Sequence, residues 1–310
     1  MGYKLAGFKV LGCVEIDPKM LECYRTNLSP PMSFLMGVQK FNEKQDIPSE
    51  LFDIDVLDGS PPCTSFSFAG LRDKTWGKEK VFSEGAALQR LDDLFFHFIE
   101  TAKKLRPKVV IAENVKGLIN GAARGYVKEI FAAFTEAGYS TQLFLLDASR
   151  MGVPQRRERV FFVASRSDLG FEPLTLSFCE KQKNVREAWM DLPARIDRFR
   201  MLTPLAESIY QKTQPGRLFR DVTGGSWFTH RRLSFGLPSF TLDCSSKIFH
   251  PEIPRFIDGI ESVRIQTFPD DYNFCRKIVR HVCGMSVPPF MMQRLSLEVA
   301  RQMFDRKVVG

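Results

Sequence analysis

Short apolar runs alternate with stretches of helical periodicity through the first 165 residues, and this alternation limits the possible folds more than any other feature. Lys9 to Ile16, Phe52 to Leu57, Val109 to Ala112, Gln142 to Leu146 and Val160 to Ala164 have the length and composition of strands. Between them, Pro18 to Asn27 reads as a helix with Asp17 as its N-cap and Pro18 at the first helical position. Leu88 to Leu105 puts Leu88, Leu91, Leu94, Phe95, Phe98, Ile99 and Ala102 on one face, and Tyr126 to Glu136 is helical up to Gly138. Such a rhythm predicts an α/β fold, a doubly wound and mostly parallel sheet. Ligands of such sheets bind beyond the C-terminal ends of the strands.

Beyond Ser165 the rhythm breaks. Residues 166–275 are rich in Pro, Gly, Phe and Arg, with short strand-like pieces such as Ser239 to Leu242, and read as a second, irregular domain. Pro288 to Asp305 is again an amphipathic helix and is expected to return to the first domain. The division predicted is 1–168, 169–275 and 276–310. The net charge is +8, and the segment 181–235 carries most of it, with eleven Lys and Arg against five Asp and Glu. A concentrated basic region predicts a polyanionic partner, although a charge run is often only a solvated surface.

Three strand ends carry the candidate chemistry. The run Phe52 to Leu57 enters Gly59-Ser60-Pro61-Pro62-Cys63, a sharp turn with a thiol at its tip. Val109 to Ala112 ends in Glu113-Asn114-Val115, and Gly152-Val153-Pro154-Gln155-Arg156-Arg157-Glu158-Arg159 opens the run Val160 to Ala164. A nucleophile, an acid and a pair of arginines at strand ends can converge on one substrate. Taken singly, each has a plainer reading: Cys63 as a small buried hydrophobe, Glu113 as a helix cap, Arg157 and Arg159 as ion-pair partners. The phenylalanines at 95–99 read as core, and Trp227 and Phe228 read either as DNA contacts or as a small hydrophobic plug.

The seven cysteines are odd in number and scattered, with no CxxC pair and no zinc spacing, so no metal site is expected. Reduced thiols point to a cytoplasmic location. No apolar run approaches the ~18 residues of a membrane span.

Taken together, the motifs closely resemble those of the DNA (cytosine-5) methyltransferase family, in the family's linear order and over nearly the whole chain. Gly59 to Cys63 with Phe66, Ser67 and Gly70 resembles the nucleophile motif. Glu113-Asn114-Val115 resembles the ENV motif and Gly152 to Arg159 the GVPQxRxR motif. Arg255, Glu261, Arg264, Gln266, Phe268 and Pro269 resemble the ninth motif, and Gly284 with Val287-Pro288-Pro289 the tenth. The resemblance implies a Rossmann-like catalytic domain and a target-recognition domain at the basic segment. It also implies S-adenosylmethionine as methyl donor and double-stranded DNA as partner. By the same resemblance Cys63 is the nucleophile, Glu113 meets N3 of the cytosine, and Arg157 and Arg159 hold the base. Glu15, Ile16, Asp17, Pro61, Pro62, Ser286 and Val287 are expected at the cofactor. Pro62, Ser67, Asn114, Val115 and Gln155 are expected at the substrate. Residues 64–90, with Lys74, Lys78 and Lys80, are expected to close over a flipped base.

The chain departs from the family at its start. Gly2 to Phe8 resembles the stretch just after the family's first strand and glycine-rich turn, and that strand and turn are not in the sequence. A missing first strand predicts unpaired edges within the sheet. A late start site, an upstream piece on a separate polypeptide or loss of activity would each account for it. Gly37-Val38 and Met285 also depart, the latter where the tenth motif usually has Asn. The expected protein is a monomer. Two rivals remain: an RNA (tRNA) cytosine-5 methyltransferase, and a non-catalytic DNA-binding pseudo-methyltransferase subunit. The Cys-Phe-Thr triplet of the tRNA branch is not found between the eighth and ninth motifs.

Overall fold

A computed structural model describes residues 1–62, 93–120, 124–192, 202–244, 247–275 and 279–304. The chain divides into two compact units. The sheet unit comprises Lys9–Leu146, Glu158–Leu176 and Glu298–Gly310, and the basic unit Met1–Phe8, Asp147–Arg157 and Ser177–Leu297. By this division the first eight residues and the segment 147–157 group with the basic unit. So does most of the last helix, up to Leu297.

In chain order the elements begin with a short helix α1 (Gly2–Leu5) in the basic unit. The sheet unit then follows with β1 (Gly12–Glu15), α2 (Pro18–Leu28), β2 (Met32–Leu35), α3 (Val38–Glu43), β3 (Val56–Gly59), α4 (Leu94–Leu105), β4 (Val109–Val115), α5 (Arg124–Glu136), β5 (Tyr139–Asp147) and β6 (Glu158–Arg166). The start of α2 is as the sequence predicts. Asp17 Oδ1 accepts from the Lys19 amide at 2.7 Å and the Met20 amide at 3.3 Å, satisfying donors that have no partner inside the helix. The turn after α5 uses Gly138 at φ +88, a conformation that a side chain would strain.

β3, β4, β6 and β5 hydrogen-bond in that order, while β1 and β2 form a separate parallel pair. β3 runs parallel to β4, but β6 runs antiparallel to it. The mostly parallel expectation is amended there. A parallel return needs a crossover of a dozen residues or more, usually helical. The connection 148–157 holds only a short 3-10 turn, so β6 runs back between β4 and β5. β4 and the middle of β6 are almost entirely buried. Phe95, Phe98, Ile99 and Ala102 of α4 and Tyr126, Ile130 and Phe134 of α5 join Val110, Ala112, Val160, Phe162 and Ala164 in one core. The phenylalanines of α4 are therefore core, Phe95 meeting Phe162 edge-on at 5.4 Å between ring centres.

β1 and β3 differ from β4. Each is only partly buried, and among the described residues each has a partner on one edge alone. Tyr24 of α2 neighbours both Cys13 of β1 and Asp58 of β3, and burial raises its phenol well above the ordinary range, with Asp58 and then Cys13 adding to the shift.

The basic unit is built from α6 (Val185–Trp189), α7 (Pro204–Lys212), α8 (Arg220–Thr223), β7 (His230–Arg232), β8 (Lys247–Phe249), α9 (Gly259–Gln266), α10 (Val279–Met285) and most of α11 (Pro289–Met303). With so little regular structure, polar side chains satisfy the backbone. Arg232 donates to the carbonyls of Tyr210, Thr213 and Pro251. Arg255 forms a forked pair with Glu261 at 2.8 and 2.7 Å, and Glu261 also closes a capping box with Asp258 at the start of α9. His250 stacks on Trp189, with ring centres 5.6 Å apart.

Candidate active site

The end of β3 must allow close approach by α4. A Cβ on Gly59 would lie 2.4 Å from the Phe98 ring, so glycine lets the strand end against the core. Two residues on, the Pro61 carbonyl accepts from Asn114 Nδ2 at 3.0 Å, and Asn114 Oδ1 accepts from the Val115 amide at 2.9 Å. Asn114 is only 4% exposed. Its amide ties the end of β4 to the Pro-Pro turn. Cys63 and Ser67 lie outside the described residues, as does the 64–90 segment.

Glu113 and Arg159 meet because of the β4–β6 register. Glu113 stands opposite Phe161 and Val115 opposite Arg159, so Glu113 and Arg159 are diagonal neighbours on one face. Arg159 Nε lies 2.9 Å from Glu113 Oε1, and Arg159 Nη1 donates to the Glu158 carbonyl. The side chains are 14% and 11% exposed, so the pair is largely shielded from water without being sealed from a ligand. The sheet unit therefore brings together four of the expected residues: Pro61, Glu113, Asn114 and Arg159.

Arg157 and Gln155 engage the backbone and side chains of the basic unit. Arg157 is 1% exposed, and its Nη1 and Nη2 donate to the carbonyls of Leu242 and Gly284 at 2.6 and 2.9 Å. A guanidinium so directed fastens two backbone segments of the basic unit. Gln155, also fully buried, accepts from the Leu242 amide at 2.9 Å and donates to Gln266 Oε1 at 2.7 Å. Gln266 in turn donates to the Ser286 carbonyl at 2.8 Å and lies 3.2 Å from its hydroxyl. Gln155 thus serves this internal chain. Sequence reasoning placed Gln266 in a motif but gave it no role. Its buried partner Gln155 is the signal that explains it.

Of the residues expected at the cofactor, Glu15 ends β1 half-buried and accepts from the Asp17 amide at 2.9 Å. Ile16 is half-buried beside it. Asp17 is occupied with capping α2. Val287 is half-buried at the turn before α11. The remaining described cysteines are free thiols. Burial pushes Cys13 up to about 11 and Cys283 to about 12, which keeps both protonated and unreactive near neutrality. No metal-binding group of His, Cys, Asp or Glu occurs among the described residues, and no described helix is long and apolar enough to cross a membrane.

A sheet interleaved with helices, carrying an acid, an amide and an arginine around a Pro-Pro turn, has the form of a Rossmann-like methyltransferase. Comparison with known proteins agrees. The C-5 cytosine-specific DNA methylase family matches residues 1–221. The Type II methyltransferase M.Eco47II of Escherichia coli is 31% identical over 88% of this chain and 69% of its own length. M.FnuDI of Fusobacterium nucleatum is 29% identical over 88% of this chain and 82% of its own. Among solved structures, a candidate DNA modification methyltransferase encoded within an E. coli prophage superposes with a TM-score of 0.75 at 20% identity, covering 98% of this chain and 95% of that one. A Spodoptera frugiperda DNMT2 variant superposes at 0.63 and 17% identity, covering 96% and 95%. The chain belongs to the C-5 cytosine-specific DNA methylase family, and its enzymatic class is DNA (cytosine-5-)-methyltransferase.

Proposed function

We propose that the protein methylates C5 of a flipped cytosine in double-stranded DNA through a covalent bond between Cys63 and C6. The supporting observation is the tether from Asn114 to Pro61 beside the Glu113–Arg159 pair, because it fixes the approach to the Pro-Pro-Cys turn next to an acid. The Cys63 thiolate adds to C6, and the ring electrons move through C5 and C4 onto N3, which takes a proton from the Glu113 carboxyl. C5 becomes electron-rich. When bound, S-adenosylmethionine would supply the electrophilic methyl group, its sulfur keeping the bonding pair as a neutral thioether. The C5 proton then departs to a base, its electron pair restores the C5–C6 double bond, the thiolate is expelled, and N3 returns its proton to Glu113. Arg159 orients the Glu113 side chain and adds positive charge near the base. Extrusion of the base costs a few kcal/mol, less at a weakened pair.

The residues present fit the methyl donor in part. Glu15, at the C-terminal end of a parallel strand, has the acceptor chemistry that vicinal ribose hydroxyls need. Ile16 supplies an apolar surface beside it. Pro61 and Pro62 close the end of β3 in the same unit. We read the enzyme as a cytoplasmic monomer.

Bisulfite sequencing of DNA from cells expressing the protein, beside methyl transfer to purified tRNA, tests this reading. Methylated cytosines in DNA are expected. Methylation of tRNA alone would favour an RNA methyltransferase. A folded protein that binds duplex DNA but gives no heat with S-adenosylmethionine would favour a non-catalytic subunit.

A further inference from the structure

The loop joining α8 to β7 separates two neighbouring aromatic residues. Trp227 packs against Phe219 and His230, with ring centres 6.1 and 4.5 Å away, and so joins the aromatic core of the basic unit around Tyr210, Phe219 and Phe249. Phe228 does not. It is 66% exposed, and it comes after three left-handed positions within four residues: Gly224 at φ +70, Gly225 at +121 and Trp227 itself at +62. The two glycines adopt that region freely, but for a bulky tryptophan it is an outlier. An ordinary backbone would serve a hydrophobic plug as well, so packing of Trp227 does not explain the strain. What the strained residue achieves is to turn its successor outward while the loop stays anchored: the His230 amide donates to the Trp227 carbonyl at 3.0 Å, and the Thr223 hydroxyl to the Ser226 carbonyl at 2.6 Å.

The surroundings indicate what an outward phenylalanine meets. Arg217, Arg220 and Lys247 are exposed around the loop. Arg220 repels Arg231, and Lys247 adds to the burial that lowers His230, so these cations lie close to the β7 side of the loop. Asp221 and Asp243 offset only part of this charge. A single large apolar side chain on a firm base amid cations matches a polyanion with apolar, stackable faces, which is a nucleic acid duplex.

Resting on the reading above that the substrate is duplex DNA, we propose that Phe228 is an apolar wedge that enters the duplex and stacks against its bases. The neighbouring cations hold the flanking phosphates. Of the two sequence readings of this pair, plug and DNA contact, Trp227 takes the first and Phe228 the second.

Fluorescence anisotropy of the full chain on a labelled duplex carrying its methylated sequence, across a series of salt concentrations, tests the proposal. Phe228→Ala is expected to weaken binding about tenfold at every salt concentration, leaving the salt slope unchanged, because stacking releases no counterions. Phe228→Trp is expected to restore binding. Arg220→Gln is expected to reduce the slope instead. Phe228→Ala binding with wild-type affinity would overturn the wedge, as would loss of affinity through a changed slope or failure of Phe228→Trp to rescue. If the wild-type chain binds tRNA and not the duplex, the substrate reading fails and the wedge falls with it. Circular dichroism of each variant shows whether it is folded, which an exposed position should preserve.

Discussion

Replacing Asn114 by alanine tests how the Pro-Pro turn is held. The side chain makes two hydrogen bonds, a buried one to the Pro61 carbonyl at 3.0 Å and a partly buried one from the Val115 amide at 2.9 Å. Truncation leaves a buried acceptor and a partly buried donor without these partners, at about 1–3 kcal/mol each. Some relaxation at the turn is expected, so the loss of stability should total about 2–4 kcal/mol. The larger effect should be on rate. A displacement of order 1 Å in a reacting group can cost about 10²-fold, and Pro61 is two residues from Cys63. Urea unfolding and steady-state methylation kinetics on duplex DNA read the two effects separately. Asn114→Ala should lower kcat about 10²-fold with little change in KM for DNA. Asn114→Asp keeps an acceptor for Val115 but sets a carboxylate against the Pro61 carbonyl, and should lose rate similarly. An Asn114→Ala enzyme with normal kcat would refute the tether as a positioning device.

Four further outcomes come from the same geometry. In a double-mutant cycle of Glu113→Gln and Arg159→Ala, the coupling in kcat should exceed about 1 kcal/mol, since the shielded pair acts as one unit; additive effects would contradict this. Arg157→Ala should destabilise the protein by about 3 kcal/mol or more in urea unfolding, because two buried carbonyls lose a cationic donor; normal stability with a raised KM for DNA would favour the base contact instead. Gly59→Ala should lower the melting temperature by several degrees, since its Cβ meets the Phe98 ring at 2.4 Å. Burial, and secondarily Arg255, lowers His250 to about 4, and its Nδ1 accepts from the Glu252 and Ile253 amides at 3.1 Å. The unfolded chain therefore binds the extra proton first. Stability should be full above pH about 6.5 and fall as pH drops toward 4, with His250 accounting for up to about 3 kcal/mol; that share should be lost in His250→Gln, leaving the share of His230, which burial also lowers to about 4.

Much of the sheet unit was legible because local signals and tertiary demands agree there. Asp17-Pro18 caps α2, the apolar face of α4 is the buried one, and Gly138 ends α5 at a left-handed turn. The reversal of β6 was not legible. Strand direction depends on whether a crossover helix intervenes, and an apolar run such as Val160 to Ala164 reads the same either way. The contact between Glu113 and Arg159 depends on a diagonal register that motif spacing cannot show. The backbone contacts of Arg157 and Gln155 were not legible, because a polar residue in a motif looks alike whether it faces a ligand or satisfies buried backbone. In the loop-rich basic unit the second demand prevails, and Arg232 and Arg255 obey it too. Trp227 and Phe228 were inseparable in sequence; packing of the first, exposure of the second and the φ of Trp227 tell them apart.

The most direct test uses duplex DNA containing 5-fluorocytosine, whose C5 substituent cannot leave as a proton. With S-adenosylmethionine present, the wild-type protein should form a stable adduct that resists denaturation, and peptide mass spectrometry should place the modified base on Cys63. Cys63→Ala should form none. An adduct that persists in Cys63→Ala, or one mapped to another residue, would contradict the account.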